Sequence, residues 1–114
     1  MEVKKIKAYF YKSESGVEPV REWLLELDIQ DKKTIGYSIK LVEYGYPVGM
    51  PITKHLGNGL EEVRINLPSN KIARIIFVAE DGEMILLHGF IKKTQKTPDK
   101  ELNLALQRYK KVKQ

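Results

Sequence analysis

Along residues 3 to 11, Val3, Lys5, Lys7, Tyr9 and Tyr11 alternate with Lys4, Ile6, Ala8 and Phe10. A period of two sends successive side chains to opposite faces, so the chain is expected to open with a strand. Ser13, Ser15 and Gly16 end it, and Pro19 follows at a position where a first helical turn tolerates the missing N–H. Val20, Trp23, Leu24 and Leu27 then recur at helical spacing, which predicts a single apolar stripe. A second helix is expected from near Asp31, with Ile35, Ile39 and Val42 on one side and Gly45 as its left-handed stop. Pro47, Gly49 and Pro51 predict an irregular loop before Leu60, with Lys54 and His55 inside it.

From Leu60 the period returns to two. Val63, Ile65 and Leu67 share one face, while Glu62, Arg64 and Asn66 share the other, as in a strand buried on one side. Pro68, Ser69 and Asn70 make a turn into Ile72 to Ala79, a stretch apolar on both faces except at Arg74. Asp81-Gly82 is a two-residue hairpin signal, so Met84 to Ile91 should pair antiparallel with the strand before it. Lys92 to Lys96 is a polar exit. Thr97 and Pro98 are expected as the cap and first residue of a last helix with Leu102, Ala105, Leu106 and Tyr109 as its stripe.

These elements make one α+β domain over residues 1–114. Its sheet is expected to be antiparallel, built from the N-terminal strand beside one strand of a three-stranded meander. Two N-terminal helices would pack on one face, a C-terminal helix would complete the chain, and the other face would be left partly open as a groove. With 42% hydrophobic and 31% charged residues, the chain lies far from the composition of disordered proteins. There is no Cys, which excludes disulfides, thiolate metal sites and thiol nucleophiles and points to a reducing cytoplasm. No apolar run reaches the roughly 18 residues of a membrane span, and the N-terminus is unlike a signal peptide. No membrane association is expected.

Charge is distributed unevenly. Residues 1 to 91 carry 12 basic and 13 acidic side chains, whereas residues 92 to 114 carry 8 basic and 2 acidic. The whole positive excess thus falls in the last fifth of the chain, the footprint of a protein that meets phosphate, or else a solvated basic helix.

Arg74 stands out because a guanidinium in a strand apolar on both faces must be paired or face a cleft. A salt bridge to Glu62 would satisfy it. Across a short turn, Arg64 and Arg74 can lie side by side about 5 Å apart, and two cations that close call for an anion, with phosphate matching the planar fork of arginine. A plain solvated face would account for Arg64 alone. Lys92 and Lys93, with Thr94, Gln95 and Lys96, leave the last strand where they could complete a basic concavity, or act only as a solubilising run. Lys54 and His55 could add a cation and an imidazole. His88 alternates with Leu86 and Phe90 and reads as a hydrogen-bonded structural histidine. No HExxH pattern, acidic triplet or glycine-rich phosphate loop is present, so no metal and no cofactor is expected.

The run Gly59-Leu60-Glu61-Glu62-Val63-Arg64, then Ala73-Arg74-Ile75-Ile76-Phe77, then Leu87-His88-Gly89-Phe90-Ile91-Lys92-Lys93-Thr94-Gln95-Lys96-Thr97-Pro98 resembles the phage-derived Gp49-like branch of the HigB/RelE toxin superfamily. So does Pro19-Val20-Arg21-Glu22-Trp23-Leu24. The resemblance implies a RelE-like fold and the toxin of a type II toxin–antitoxin system that cleaves messenger RNA in the ribosomal A site. It also implies silencing by a cognate antitoxin of helix-turn-helix type, with operator DNA met only as part of that complex. Residue by residue, Arg64 falls at a basic strand position of the RelE branch and Arg74 at the arginine assigned to the scissile phosphate. Lys92 or Lys93 falls near a further active-site arginine. On this basis Arg64, Arg74 and Lys93 are the expected catalytic residues, and Lys54, His55, Lys92 and Lys96 the expected RNA-binding ones. Tyr109, deep in the helical stripe, is not equivalent to the C-terminal tyrosine of many RelE relatives. Two other functions fit the same fold: a DNA gyrase poison of the ParE kind without nuclease activity, and a non-catalytic module that binds nucleic acid or a partner through its basic tail.

Overall fold

The computed structural model describes residues 3–93 and 96–113. Its elements are β1 (Lys7–Phe10), α1 (Pro19–Leu25), α2 (Ile29–Gly45), β2 (Thr53–Gly57), β3 (Leu60–Asn66), β4 (Ile72–Glu80), β5 (Glu83–Ile91) and α3 (Asp99–Val112). The five strands form one sheet in the order β1-β5-β4-β3-β2. The protein is α+β, with two corrections to the expected sheet. β1 pairs with β5 in parallel, so the sheet is mixed. A fifth strand, β2, lies antiparallel to β3 where a loop is expected, and Lys54 and His55 belong to it.

Local chemistry accounts for most boundaries. Pro19 occupies the first turn of α1. Asp28 caps α2 by accepting a 2.9 Å hydrogen bond from the Asp31 N–H, which satisfies one of the orphan donors of a helix start. Asp81 and Gly82 both take positive φ, 52° and 78°, the backbone twist that a tight hairpin between β4 and β5 needs. At α3 the observed cap is Pro98, with no side-chain capping bond. Thr97 is therefore not the cap, and its hydroxyl is engaged elsewhere.

The sheet separates two apolar cores. On one face α1 and α2 bury Val20, Ile35, Ile39 and Val42 against Val63, Ile65, Ala73, Ile75, Phe77, Met84 and Leu86. On the other, Ala105 and Tyr109 of α3 cover Leu60, Ile76, Val78, Leu87 and Phe90. Trp23 is seated directly over Gly89, where a Cβ would stand 2.5 Å from the indole. The outer margin of β1 is closed by α2, whose Glu43 carboxylate accepts the Ala8 N–H at 2.7 Å and pairs with Lys4 at 3.2 Å. That contact occupies a backbone donor that an edge strand would otherwise present. Because α3 rests on β4 and β5, the second face stays open toward β2 and β3.

Candidate functional site

Strand alternation builds the open corner of the second face. Lys54 lies opposite Glu62, Arg64 opposite Arg74, and Arg74 opposite Phe90. Cross-strand partners share a face, so Lys54, Glu62, Arg64 and Arg74 all point to the same side. Lys92 joins them just past β5, anchored by its N–H on the Ile72 carbonyl at 2.7 Å. Together with Met50, Pro51 and Ile52 these residues line a cavity of about 200 Å³.

Within it the two arginines differ. Arg74 is 6% exposed and its Nη1 lies 2.9 Å from Glu62 Oε1. The same nitrogen donates to Thr97 Oγ1 at 2.8 Å, and the Thr97 hydroxyl donates to Glu62 Oε2 at 2.6 Å. This closed triangle compensates a guanidinium whose unpaired burial would cost several kcal/mol. It also ties the start of α3 to β3 and β4. Arg64 is exposed, as is Lys54, and neither they nor Lys92 form a salt bridge among the described residues. Partial desolvation, together with the nearby charges of Arg74, Arg64 and Lys54, lowers the Lys92 ammonium from the ordinary lysine value, against the opposing pull of Glu62. Four cations from four segments thus converge on one concavity, and the single carboxylate lining it faces the buried arginine. An anion entering here would meet charge already in place.

The remaining expected residues lie elsewhere. His55 alternates with Lys54 and faces the other side of the sheet, 3.9 Å from Glu61, whose other oxygen accepts from Tyr46 at 2.6 Å. Burial and the Glu61 contact push the Tyr46 hydroxyl up to about 12. Lys93 is exposed and does not line the cavity. Lys96 precedes Thr97 and lines a separate hollow with Thr97, Pro98 and Asp99. Thr94 and Gln95 lie outside the described residues. His88 reaches Glu101 of α3 at 3.0 Å and stacks on Phe90 at 5.5 Å. Burial pulls its pKa below the usual histidine value, opposed by Glu101 and aided by Arg108. Tyr109 hydrogen-bonds to Glu80, at the end of β4 opposite Arg74. Much of the C-terminal charge is likewise remote, since Lys110 and Lys111 sit in the last turn of α3, where cations favour the helix dipole. Thr97 is hidden by its sequence position, because a threonine before a proline and a helix reads as a cap, and Met50, Pro51 and Ile52 stand in a stretch that reads only as a loop.

Fold and cavity together define a small α+β protein with a preformed cationic pocket on one sheet face. Residues 22–110 match the phage-derived Gp49-like protein family (DUF891), and the chain belongs to it. The family is phage-derived and toxin-like. No curated protein matches the chain. Among the described residues no helix is long and apolar enough to cross a membrane.

Proposed function

We propose that this protein is the toxin of a type II toxin–antitoxin system, a RelE-like endoribonuclease that cuts messenger RNA on the ribosome in the cytoplasm and so stops translation. The observation that carries this reading is the convergence of Arg64, Arg74, Lys54 and Lys92 on one cavity in a member of a toxin-like family. In RNA the 2′-OH can attack the adjacent phosphorus. The new P–O2′ bond forms as the P–O5′ bond breaks, leaving a cyclic phosphate and a free 5′-hydroxyl once a proton has passed from one oxygen to the other. What an enzyme must supply is alignment of the reacting atoms and charge to offset the developing phosphoryl anion.

In this reading Arg64 and Lys92 take the phosphoryl oxygens, Arg64 through its two-pronged donor set. Arg74, held from behind by Glu62 and Thr97, is a fixed donor that needs no reorganisation as charge develops. Lys54 extends the positive surface along β2 toward a flanking phosphate, and Lys93 and Lys96, which do not line the cavity, would meet RNA backbone outside it. The partner that silences the protein is a cognate antitoxin, and the natural surface for an acidic segment of it is this same cationic face.

The test is a translating ribosome programmed with an end-labelled messenger. Wild-type protein should cut within codons, and the Arg64→Ala/Lys92→Ala variant, whose substitutions remove no buried contact, should not. Cleavage retained by that variant would overturn the assignment. Intact RNA beside broken DNA in expressing cells would replace it with gyrase poisoning.

A further inference from the structure

The cavity that carries the cations also has an apolar rim that phosphate chemistry leaves unused. Met50, Pro51 and Ile52 line it beside the charged residues, and Met50 is 75% and Ile52 38% exposed. The rim is held in place. Gly49 donates its N–H to Thr53 Oγ1 at 2.8 Å, the Ile52 and Thr53 N–H groups both return to the Gly49 carbonyl at 3.2 and 3.0 Å, and the Arg64 N–H donates to the Ile52 carbonyl at 2.9 Å. A backbone bond therefore fixes the ledge directly against Arg64. Size supplies the second argument. A volume of about 200 Å³ falls below the roughly 300 Å³ at which pockets begin to enclose drug-sized ligands. It can take a phosphate with part of its sugar, and the attached base must lie at the mouth. The uncharged part of the lining there is Met50, Pro51 and Ile52.

We infer that Met50, Pro51 and Ile52 form a nucleobase subsite next to the phosphate pocket, one that packs against the flat face of a base without reading its edges. This rests on the RNA reading above. Every base offers a π-face to an apolar surface, and a methionine thioether is polarisable enough to pack on any of them. Discrimination would need directed donors or acceptors. None of the three side chains supplies a strong one, Pro51 has no N–H, and the Ile52 N–H is already spent on Gly49. The contact is therefore tolerant of sequence, and any codon preference arises elsewhere.

The experiment titrates the full-length protein with two fluorescent probes: a short single-stranded oligoribonucleotide and a ribose-phosphate oligomer of the same length without bases. Wild-type protein should bind the first more tightly, and should bind oligo-A, -C, -G and -U within about threefold of one another. Met50→Ser/Ile52→Ser should weaken the base-bearing probes about fivefold and leave the abasic affinity where it was. Equal affinity of wild type for both probes, an unaltered affinity of the variant for RNA, or a strong preference for one base would each overturn the subsite. Failure of wild type to bind even the abasic oligomer would instead overturn the phosphate pocket itself. Both substituted side chains are exposed, and thermal unfolding of the variant verifies that it is folded.

Discussion

Replacing Thr97 by valine tests the triangle that joins α3 to the sheet. The change keeps the β-branched shape and deletes one hydroxyl, which accepts from Arg74 at 2.8 Å and donates to Glu62 at 2.6 Å. Hydrogen bonds to charged groups contribute about 1.5 to 3 kcal/mol each. The direct Arg74–Glu62 contact survives at 2.9 Å, and the added methyl recovers about 0.8 kcal/mol of apolar burial. The expected net loss is about 2 to 5 kcal/mol, a large share of a domain's usual stability of about 5 to 15 kcal/mol. In urea denaturation the midpoint should fall without a change in slope, while Thr97→Ser stays near wild type. A cycle settles the origin. In a Glu62→Leu/Arg74→Met background, where an apolar pair replaces the ions, Thr97→Val should cost little. If Thr97→Val costs no more in wild type than the roughly 1 kcal/mol of an ordinary lost cap, or costs the same in both backgrounds, the triangle is not what holds α3 to the sheet.

Gly89→Ala should lose about 1 to 3 kcal/mol by overpacking, because the new Cβ would stand 2.5 Å from Trp23; a shift in tryptophan fluorescence should accompany it. The pKa of His88 is lowered in the fold, so the unfolded chain binds the proton more readily and stability should fall as pH drops below about 6.5. His88→Gln should remove that part of the slope in thermal melts taken between about pH 7 and pH 5. Arg64→Ala should reduce the dependence of RNA affinity on salt by about one phosphate contact, leaving the melting temperature unchanged.

How far the sequence reaches depends on how strongly each segment is patterned. β3, β4 and β5 are legible because their alternation is long and their turns carry distinctive residues, and the pairing of Arg64 with Arg74 follows from those turns. The salt bridge from Arg74 to Glu62 is legible too, since a buried guanidinium demands a partner. β2 is not. It is a five-residue edge strand, Thr53-Lys54-His55-Leu56-Gly57, mostly polar, just beyond two prolines, and its existence depends on the margin that β3 offers. With β2 unread, the opposite facing of Lys54 and His55 is unreadable as well. The direction of β1 is hidden for another reason: periodicity fixes which residues share a face and says nothing of whether a neighbour runs parallel or antiparallel.

The five residues linking β3 to β4, Leu67 to Lys71, act as a spacer whose length is part of the chemistry. Adding or removing one of them would offset the two strands by a single residue and turn Arg74, with everything in phase with it, toward the layer of α1 and α2. Exposed Pro68 and Lys71 should accept substitution, whereas Leu67, buried in the core, Ser69, whose hydroxyl donates to the buried Asp31 at 2.8 Å, and the length itself should not.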